Sequence, residues 1–397
     1  MSGHRISHVP RERIIRGKDN WWFLGPGGVA RLRAGHLTPA GTPTPSATRR
    51  LAEMGLFRTS PPKIYSLTVL TSTDCNLGCG YCFQNVEQDP TGGNRPPRIS
   101  HARLTSETIT GVLEFTRRRM AAAGLQALHV LLFGGEPLLN PRGCRELLAR
   151  AADYGLVSAS MISNGTLLTP LLAGQLAGLG LRSVQITFDG DAATHDAIRV
   201  RRSGGGTFEG IIRNITRVSE TTPLGWALRV NVSHLNYAGI DALLDTLADR
   251  LDPSRCAMQF AWVGDVGIGY ANEMRHTADL AERFFRWRRH ALELGFTVSR
   301  PRAHLPCGTC SHANGLYGAV VNADGTLSSC WETAGKPGWQ VGSVVDGYLP
   351  SEQTEDIWVS CDDKNHYSDD DRAVAAFNDA ADAAFLDYLA ETGRLRP

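Results

Sequence analysis

No stretch of this 397-residue chain approaches the roughly 20 consecutive apolar residues of a membrane-spanning helix, so no membrane partner is expected. Charge of one sign is lacking as well: 41 Lys and Arg stand against 40 Asp and Glu, for a net charge of +1. With no basic field there is nothing to draw nucleic acid and with no acidic excess nothing to gather cations, so a partner must be recognised locally. The opening MSGHRISHVPRERIIRGKDN is basic but has no apolar run behind it, which is not the pattern of a signal peptide. Nine cysteines, an odd count, without an export signal fit a reducing cytoplasm. Clustered thiols there serve metal or redox chemistry more often than disulfides.

From Tyr65 onward, strand-like runs alternate with runs of helical periodicity, the pattern of a parallel sheet with helical crossovers. Strands are expected over 65–71, 127–133, 156–162, 183–188, 227–232 and 255–263. Between them Ile109, Val112, Leu113, Thr116 and Met120 share one helical face, as do Leu280, Phe284, Trp287, Ala291 and Leu294. Arg283, Arg286, Arg288, Arg289 and His290 on that last helix read as a solvated face. Six such units fit one α/β fold, an open partial (β/α)6 TIM-like barrel over 63–300. Ahead of it, Trp21 to Leu24 lead through GPGG into 29–32, a hairpin, and Ser46 opens an amphipathic helix ending near Gly55. Residues 1–62 are thus expected as an extension held on the sheet by Trp21 and Trp22. Pro301 and Pro306 mark the next boundary, and 363–397 carries Val374, Phe377, Phe385, Tyr388 and Leu389 at the spacing of a terminal helix.

Three cysteines crowd the turn after the first strand. In TSTDCNLGCGYCF, residues 71–83, Cys75, Cys79 and Cys82 stand as CxxxCxxC. Three thiolates on one loop suit three irons of a 4Fe-4S cluster and leave the fourth iron open for chemistry. The paired CxxC spacing of a structural zinc site is missing. The loop falls at the carboxyl end of a strand, where barrel and open-sheet sites are built. Cys144 and Cys256 lie in apolar runs and read as buried structural thiols.

CNLGCGYC resembles the signature of the radical S-adenosylmethionine (radical SAM) enzymes, and further motifs follow in that family's order. The resemblance implies that the open iron binds the amino and carboxylate groups of S-adenosylmethionine, and that one electron from the cluster cleaves it to a hydrogen-abstracting 5′-deoxyadenosyl radical. It places Tyr81 beside adenine, where simple aromatic packing is the alternative, and the backbone of Phe83 in a bond to it. Gly134-Gly135-Glu136-Pro137 is similar to the GGEP motif that receives the methionyl amino group. Ser163 and Asn164 would lie near the ribose, or merely cap a turn. VQITFDG, HDAIR and GGGTFE, with Thr187 and Arg199, resemble the subgroup with a SPASM or twitch extension, in which Arg199 would meet the S-adenosylmethionine carboxylate. Asp189 and His195 are expected to tie their loop to its helix.

Beyond Pro301, Cys310, Gly325 and Cys330 resemble the opening of that C-terminal SPASM/twitch-type auxiliary cluster domain, here 301–362. Cys307, Cys310, Cys330 and Cys361 suffice for one auxiliary iron-sulfur cluster, expected as 4Fe-4S; a four-cysteine zinc site is the alternative. Asp324-Gly325 would turn the hairpin that returns Cys330 toward Cys310. Sulfatase-maturing members carry Asp directly after the cysteine that Cys330 matches; Trp331 stands here instead, leaving Glu332 as the substitute base. The resemblance also implies an external one-electron donor such as flavodoxin or ferredoxin. Two substrate classes remain. One is a ribosomally made precursor peptide that is cross-linked, oxidised or epimerised, toward which the N-terminal hairpin and helix point; the other is a small molecule such as an aminocyclitol.

Overall fold

The computed structural model describes residues 12–265, 267–311, 313–360 and 371–395. The first described segment is a three-stranded antiparallel sheet of β1 (Arg13–Arg16), β2 (Trp21–Gly25) and β3 (Gly28–Leu32), followed by α1 (Pro45–Glu53). Thr44 starts α1 by accepting the Ala47 N–H at 3.3 Å, and proline at the first helical position has no N–H to lose.

The alternating pattern then unrolls as expected. It gives β4 (Ile64–Ser72), α2 (Ser106–Ala123), β5 (Ala127–Gly134), α3 (Pro141–Ala151), β6 (Leu156–Ile162), α4 (Pro170–Gly178) and β7 (Leu181–Phe188). Next come α5 (Ala192–Ile198), α6 (Phe208–Thr221), β8 (Gly225–Val232), α7 (Ile240–Arg250), β9 (Cys256–Trp262), α8 (Ala278–Glu293) and β10 (Thr297–Val298). Strands β4 to β9 lie side by side in chain order, each parallel to the next, which is the open partial barrel. The longer helices bury an apolar stripe in the core; in α2 it is Ile109, Val112, Leu113, Phe115 and Met120. Along β8 the burial alternates, with Trp226, Leu228, Val230 and Val232 in the core, so Arg229 and Asn231 fall on the other face.

The region after Pro301 does not form a layer of its own. β11 (Gly318–Val321) pairs parallel with β4, in register from Gly318 against Ser66 to Val321 against Val69. β12 (Thr326–Ser328) folds back on it across Asp324-Gly325, and β13 (Gly342–Ser343) and β14 (Gly347–Tyr348) complete one 11-stranded sheet. A short helix, α9 (Ser351–Thr354), follows.

The two ends of the chain meet, which the sequence did not suggest. β1 to β3 pack on the terminal helix α10 (Asp371–Glu391) and not on the main sheet, and α10 in turn lies on α8. Ile15, Trp22, Leu24, Ala383 and Leu386 share one apolar cluster. Asp387 accepts the Trp22 indole N–H at 2.8 Å and the Lys18 amide at 2.7 Å, while Arg13 and Arg288 close on Asp382 from two sides at 2.7 Å. Trp21, expected beside Trp22 in this role, points instead under Arg16. On α8, Arg289 pairs with Glu293 and His290 with Asp245, and Arg283 lies over the Tyr237 ring. Among the described residues no helix is long and apolar enough to cross a membrane.

Candidate active site

The loop leaving β4 carries Cys75, Cys79 and Cys82 as thiols, Cys79 buried and the others half-buried. Its path is tight. A Cβ on Gly78 would stand 1.7 Å from the Asn94 carbonyl oxygen, so only glycine fits between the cysteines there. Donors converge on the sulfurs: the Leu77 amide reaches Cys75 at 3.5 Å, Asn164 Nδ2 reaches Cys75 at 3.7 Å, and an Arg98 guanidinium N–H reaches Cys82 at 3.6 Å. Burial pushes the Cys75 thiol up and that of Cys79 to about 12, with Arg98 and Arg199 pulling them back down. Donors and cations facing sulfur favour the thiolate that an iron needs. Among the described residues no three His, Cys, Asp or Glu side chains close on one ion-sized point. Cluster ligation asks for no such closure, because each thiolate takes a separate iron. The residues present therefore fit the cluster.

The turn after β5 is pressed against this loop. Gly134 has φ 137°, and a Cβ there would lie 2.2 Å from the Ser72 carbonyl oxygen; one on Gly135 would lie 2.2 Å from that of Asp74. The amides of Gly135 and Glu136 donate to the same two carbonyls at 2.9 and 2.8 Å. Glu136, expected to receive an ammonium, has its carboxylate turned inward and fully buried. It accepts from the Leu138 amide at 3.0 Å, the Asn164 amide at 2.7 Å and the Ser163 hydroxyl at 2.9 Å. Burial holds its pKa above the usual carboxylate range despite these donors. Glu136 thus locks the third turn to the second, and what it leaves for a ligand on the GGEP segment is backbone. Replacing Glu136 by Gln sets an amide N–H₂ among donors, and stability to denaturant should fall by about 1–3 kcal/mol, the desolvation of an unsatisfied buried group. Unchanged unfolding would show that the carboxylate is free.

Ser163 and Asn164 follow β6, and their side chains serve protein partners. Asn164 Nδ2 also donates to Asn76 Oδ1 at 2.8 Å, so the ribose-side turn is tied to the cysteine loop. Thr187 is buried at the end of β7. Tyr81 is not simply a packed ring. Its hydroxyl donates to Asp189 Oδ2 and accepts from Arg199 at 2.6 Å and from Asn231 Nδ2 at 3.2 Å. Arg199 pairs with Asp189 at 3.6 Å, and its Nε is buried without a partner among the described residues, leaving one donor for a further acceptor. His195 performs the tie expected of it: it accepts the Asp189 amide at 3.3 Å and meets the Thr207 hydroxyl at 3.0 Å, and burial holds it neutral with a pKa well below the usual. Asp189 does more than tie the loop, since its carboxylate faces Tyr81 and Arg199. Asn231, Arg98 and Tyr270, which meets Tyr81 edge-on at 6.0 Å, were not singled out by sequence. The alternation along β8 was the available signal for Asn231; for the other two there was none. Beside Tyr270 a cavity of about 310 Å³ opens, lined also by Trp262, Asp265, Met274 and Arg275.

The second cysteine region lies against the first through rings. Phe83 stacks on Phe133 at 6.0 Å and 11°, and Phe133 meets Trp331 at 5.8 Å, so the residues following Cys82 and Cys330 bracket one aromatic cluster. The Cys307 amide donates to Ser311 Oγ at 2.8 Å, and the Cys310 carbonyl accepts the Trp358 indole N–H at 2.9 Å. Val359 donates to Ser329 Oγ at 2.9 Å, which brings the chain before Cys361 beside Cys330; Cys361 itself lies outside the described residues. Glu332 lies near enough to Arg229 and Lys336 to act on both electrostatically.

Residues 69–247 match the family described as the Radical SAM superfamily. The mycofactocin maturase MftC of Mycobacterium tuberculosis is 29% identical over 177 residues, 44% of this chain and 39% of the relative. The AdoMet-dependent heme synthase of Nitratidesulfovibrio vulgaris is 32% identical over 145 residues, 36% of this chain and 33% of the relative. The chain therefore spans well under half the length of these two relatives. Among solved structures, native anSMEcpe with bound AdoMet and Cp18Cys peptide superposes with a TM-score of 0.60 at 17% identity, covering 84% of this chain and all of that one. The fold is an α/β partial barrel of the kind these radical SAM proteins have. Over residues 69–247, under half of the chain, the sequence is similar to the Radical SAM superfamily, the family of S-adenosylmethionine and 4Fe-4S cluster chemistry.

Proposed function

We propose that the chain is a radical SAM peptide maturase in which Cys75, Cys79 and Cys82 hold the cluster. The observation that carries this is the placement of three thiols on the carboxyl-end loop of the first barrel strand, with N–H donors and the Arg98 and Arg199 cations facing their sulfurs. When bound, the cluster supplies one electron to S-adenosylmethionine, whose cleavage gives the 5′-deoxyadenosyl radical that removes hydrogen from a substrate. The protein's own part is to bind and orient. Gly134 and Gly135 offer backbone to the methionyl amino group, Arg199 offers its unpartnered Nε–H to the carboxylate, and Ser163, Asn164 and Thr187 border the ribose. Tyr81 braces the Arg199–Asp189 pair by bonding both, and Phe83 presents backbone to adenine. Cys307, Cys310, Cys330 and Cys361 would hold a second cluster, with Glu332 as the candidate base nearby.

A peptide is favoured as substrate because one relative is named a maturase and one structural neighbour is titled with a bound peptide. Anaerobically reconstituted protein, given reductant and short precursor peptides encoded beside it, should yield 5′-deoxyadenosine together with a changed peptide. A loss of about two hydrogens in mass would mark oxidation or a cross-link, and deuterium taken from heavy water would mark epimerisation. Turnover of a tetrapyrrole or an aminocyclitol, with every such peptide untouched, would end the peptide reading.

A further inference from the structure

Among the described residues Arg98 is a cation without a carboxylate partner. Its segment runs back along the cysteine loop, with the Val86 amide on the Pro97 carbonyl at 2.9 Å and the Ile99 amide on that of Gln84 at 3.2 Å. The guanidinium then spans the loop from end to end. One nitrogen donates to the Thr73 carbonyl at 3.2 Å and to Gln84 Oε1 at 2.8 Å; the other donates to Asn85 Oδ1 at 3.4 Å and to Cys82 Sγ at 3.6 Å. Thr73 precedes the three cysteines, and Gln84 and Asn85 follow them. Gln84 and Asn85 are themselves buried, and Asn85 Nδ2 is held by the Cys79 carbonyl at 3.0 Å, so the acceptors do not move freely.

Arg98 is half-buried; a guanidinium stays charged in any protein setting, and a charge drawn out of water without a counter-ion is destabilising. No Asp or Glu among the described residues pairs with Arg98; the negative charges that favour its ionised form are Cys82, Cys75 and Cys79. Its counter-ion is the sulfur set.

Resting on the cluster assignment above, we propose that Arg98 is a positioning residue that clasps the two ends of the cysteine loop and raises the reduction potential of the cluster bound there. Net charge and hydrogen bonds to sulfur are what a protein uses to set such potentials. The reduced cluster carries one more negative charge than the oxidised one, so a fixed cation at Cys82 stabilises it more and makes reduction easier. The buried carboxylates of Asp189 and Glu136 work in the opposite direction.

The test is a potentiometric titration of the reconstituted holoprotein, following the electron paramagnetic resonance signal that S-adenosylmethionine perturbs. Arg98→Gln should lower the midpoint potential, and Arg98→Lys should recover much of the shift because it keeps the charge and loses only the fork. Gln84→Glu leaves Arg98 and the loop in place while setting a carboxylate on the guanidinium, and it should lower the midpoint as Arg98→Gln does. If Arg98→Gln does not load iron, Gln84→Glu decides alone. Wild-type potentials in both Arg98→Gln and Gln84→Glu, or in Gln84→Glu when it alone loads, overturn the proposal. A wild-type protein with no signal that responds to S-adenosylmethionine would instead remove the cluster assignment, an outcome distinct from an unshifted potential.

Discussion

Changing Cys75, Cys79 and Cys82 together to Ala should lower reductant-driven 5′-deoxyadenosine formation by at least ~100-fold, since perturbing residues that merely support a metal ligand already costs 10–100-fold. Iron per reconstituted chain should fall by about four, the content of one cubane, while iron at the second cysteine region stays. The matched control is Cys144→Ala. That thiol is fully buried, donates to the Pro137 carbonyl at 3.3 Å, and has its pKa pushed up to about 12 by burial, all marks of a structural cysteine. It should alter stability and leave iron content unchanged. Full 5′-deoxyadenosine production by the triple variant would remove the assignment of the cysteine loop.

The second large effect is expected at Arg199. Removing one partner of a buried ion pair leaves the other uncompensated, so Arg199→Ala should lower stability by about 3–5 kcal/mol near neutral pH. The pH dependence follows from Asp189. Burial raises its folded pKa above the ordinary carboxylate value, and Arg199 is the strongest influence pulling it down. Without Arg199 the folded pKa rises further, so the folded variant binds a proton that the unfolded chain has released. Stability of the variant is then greatest below the unfolded carboxylate pKa and is lost as pH rises from there through the raised folded pKa. Chemical denaturation of both proteins at descending pH should show the deficit shrinking toward pH 4, a value near the ordinary carboxylate pKa. A deficit constant with pH would mean that Asp189 is compensated by another group. Affinity for S-adenosylmethionine should fall in the same variant, because the buried Nε–H without a partner among the described residues goes with it.

Much of the candidate site could be seen in the chain because its elements are local. CxxxCxxC, GGEP and the Ser163-Asn164 turn each sit within a few residues, at strand ends that the alternating pattern already locates. Glu136 shows where that kind of reading stops. Its place in the motif is visible, but the direction of its carboxylate depends on Ser163 and Asn164 arriving from the next strand. The same holds for Tyr81, which reads as a ring between cysteines and turns out to be a hydroxyl with three partners, from just after β7, just after α5 and within β8.

The sequence alone determined the six parallel strands, the cysteine loop at the end of the first of them and the order of the motifs, since period, spacing and turn chemistry act over short stretches of chain. Tertiary structure decided what depends on distant segments meeting. β11 extends the barrel sheet by pairing with β4, across some 250 residues of chain, as the Tyr65 hydroxyl on the Gly315 carbonyl also shows. β1 to β3 dock on α10 because Trp22 and Arg13 find Asp387 and Asp382 there, 365 and 369 residues away. Such pairings leave no local period, because backbone hydrogen bonding at a sheet edge and a buried indole or guanidinium each accept any partner of suitable shape and charge. Only the packed chain selects which one arrives.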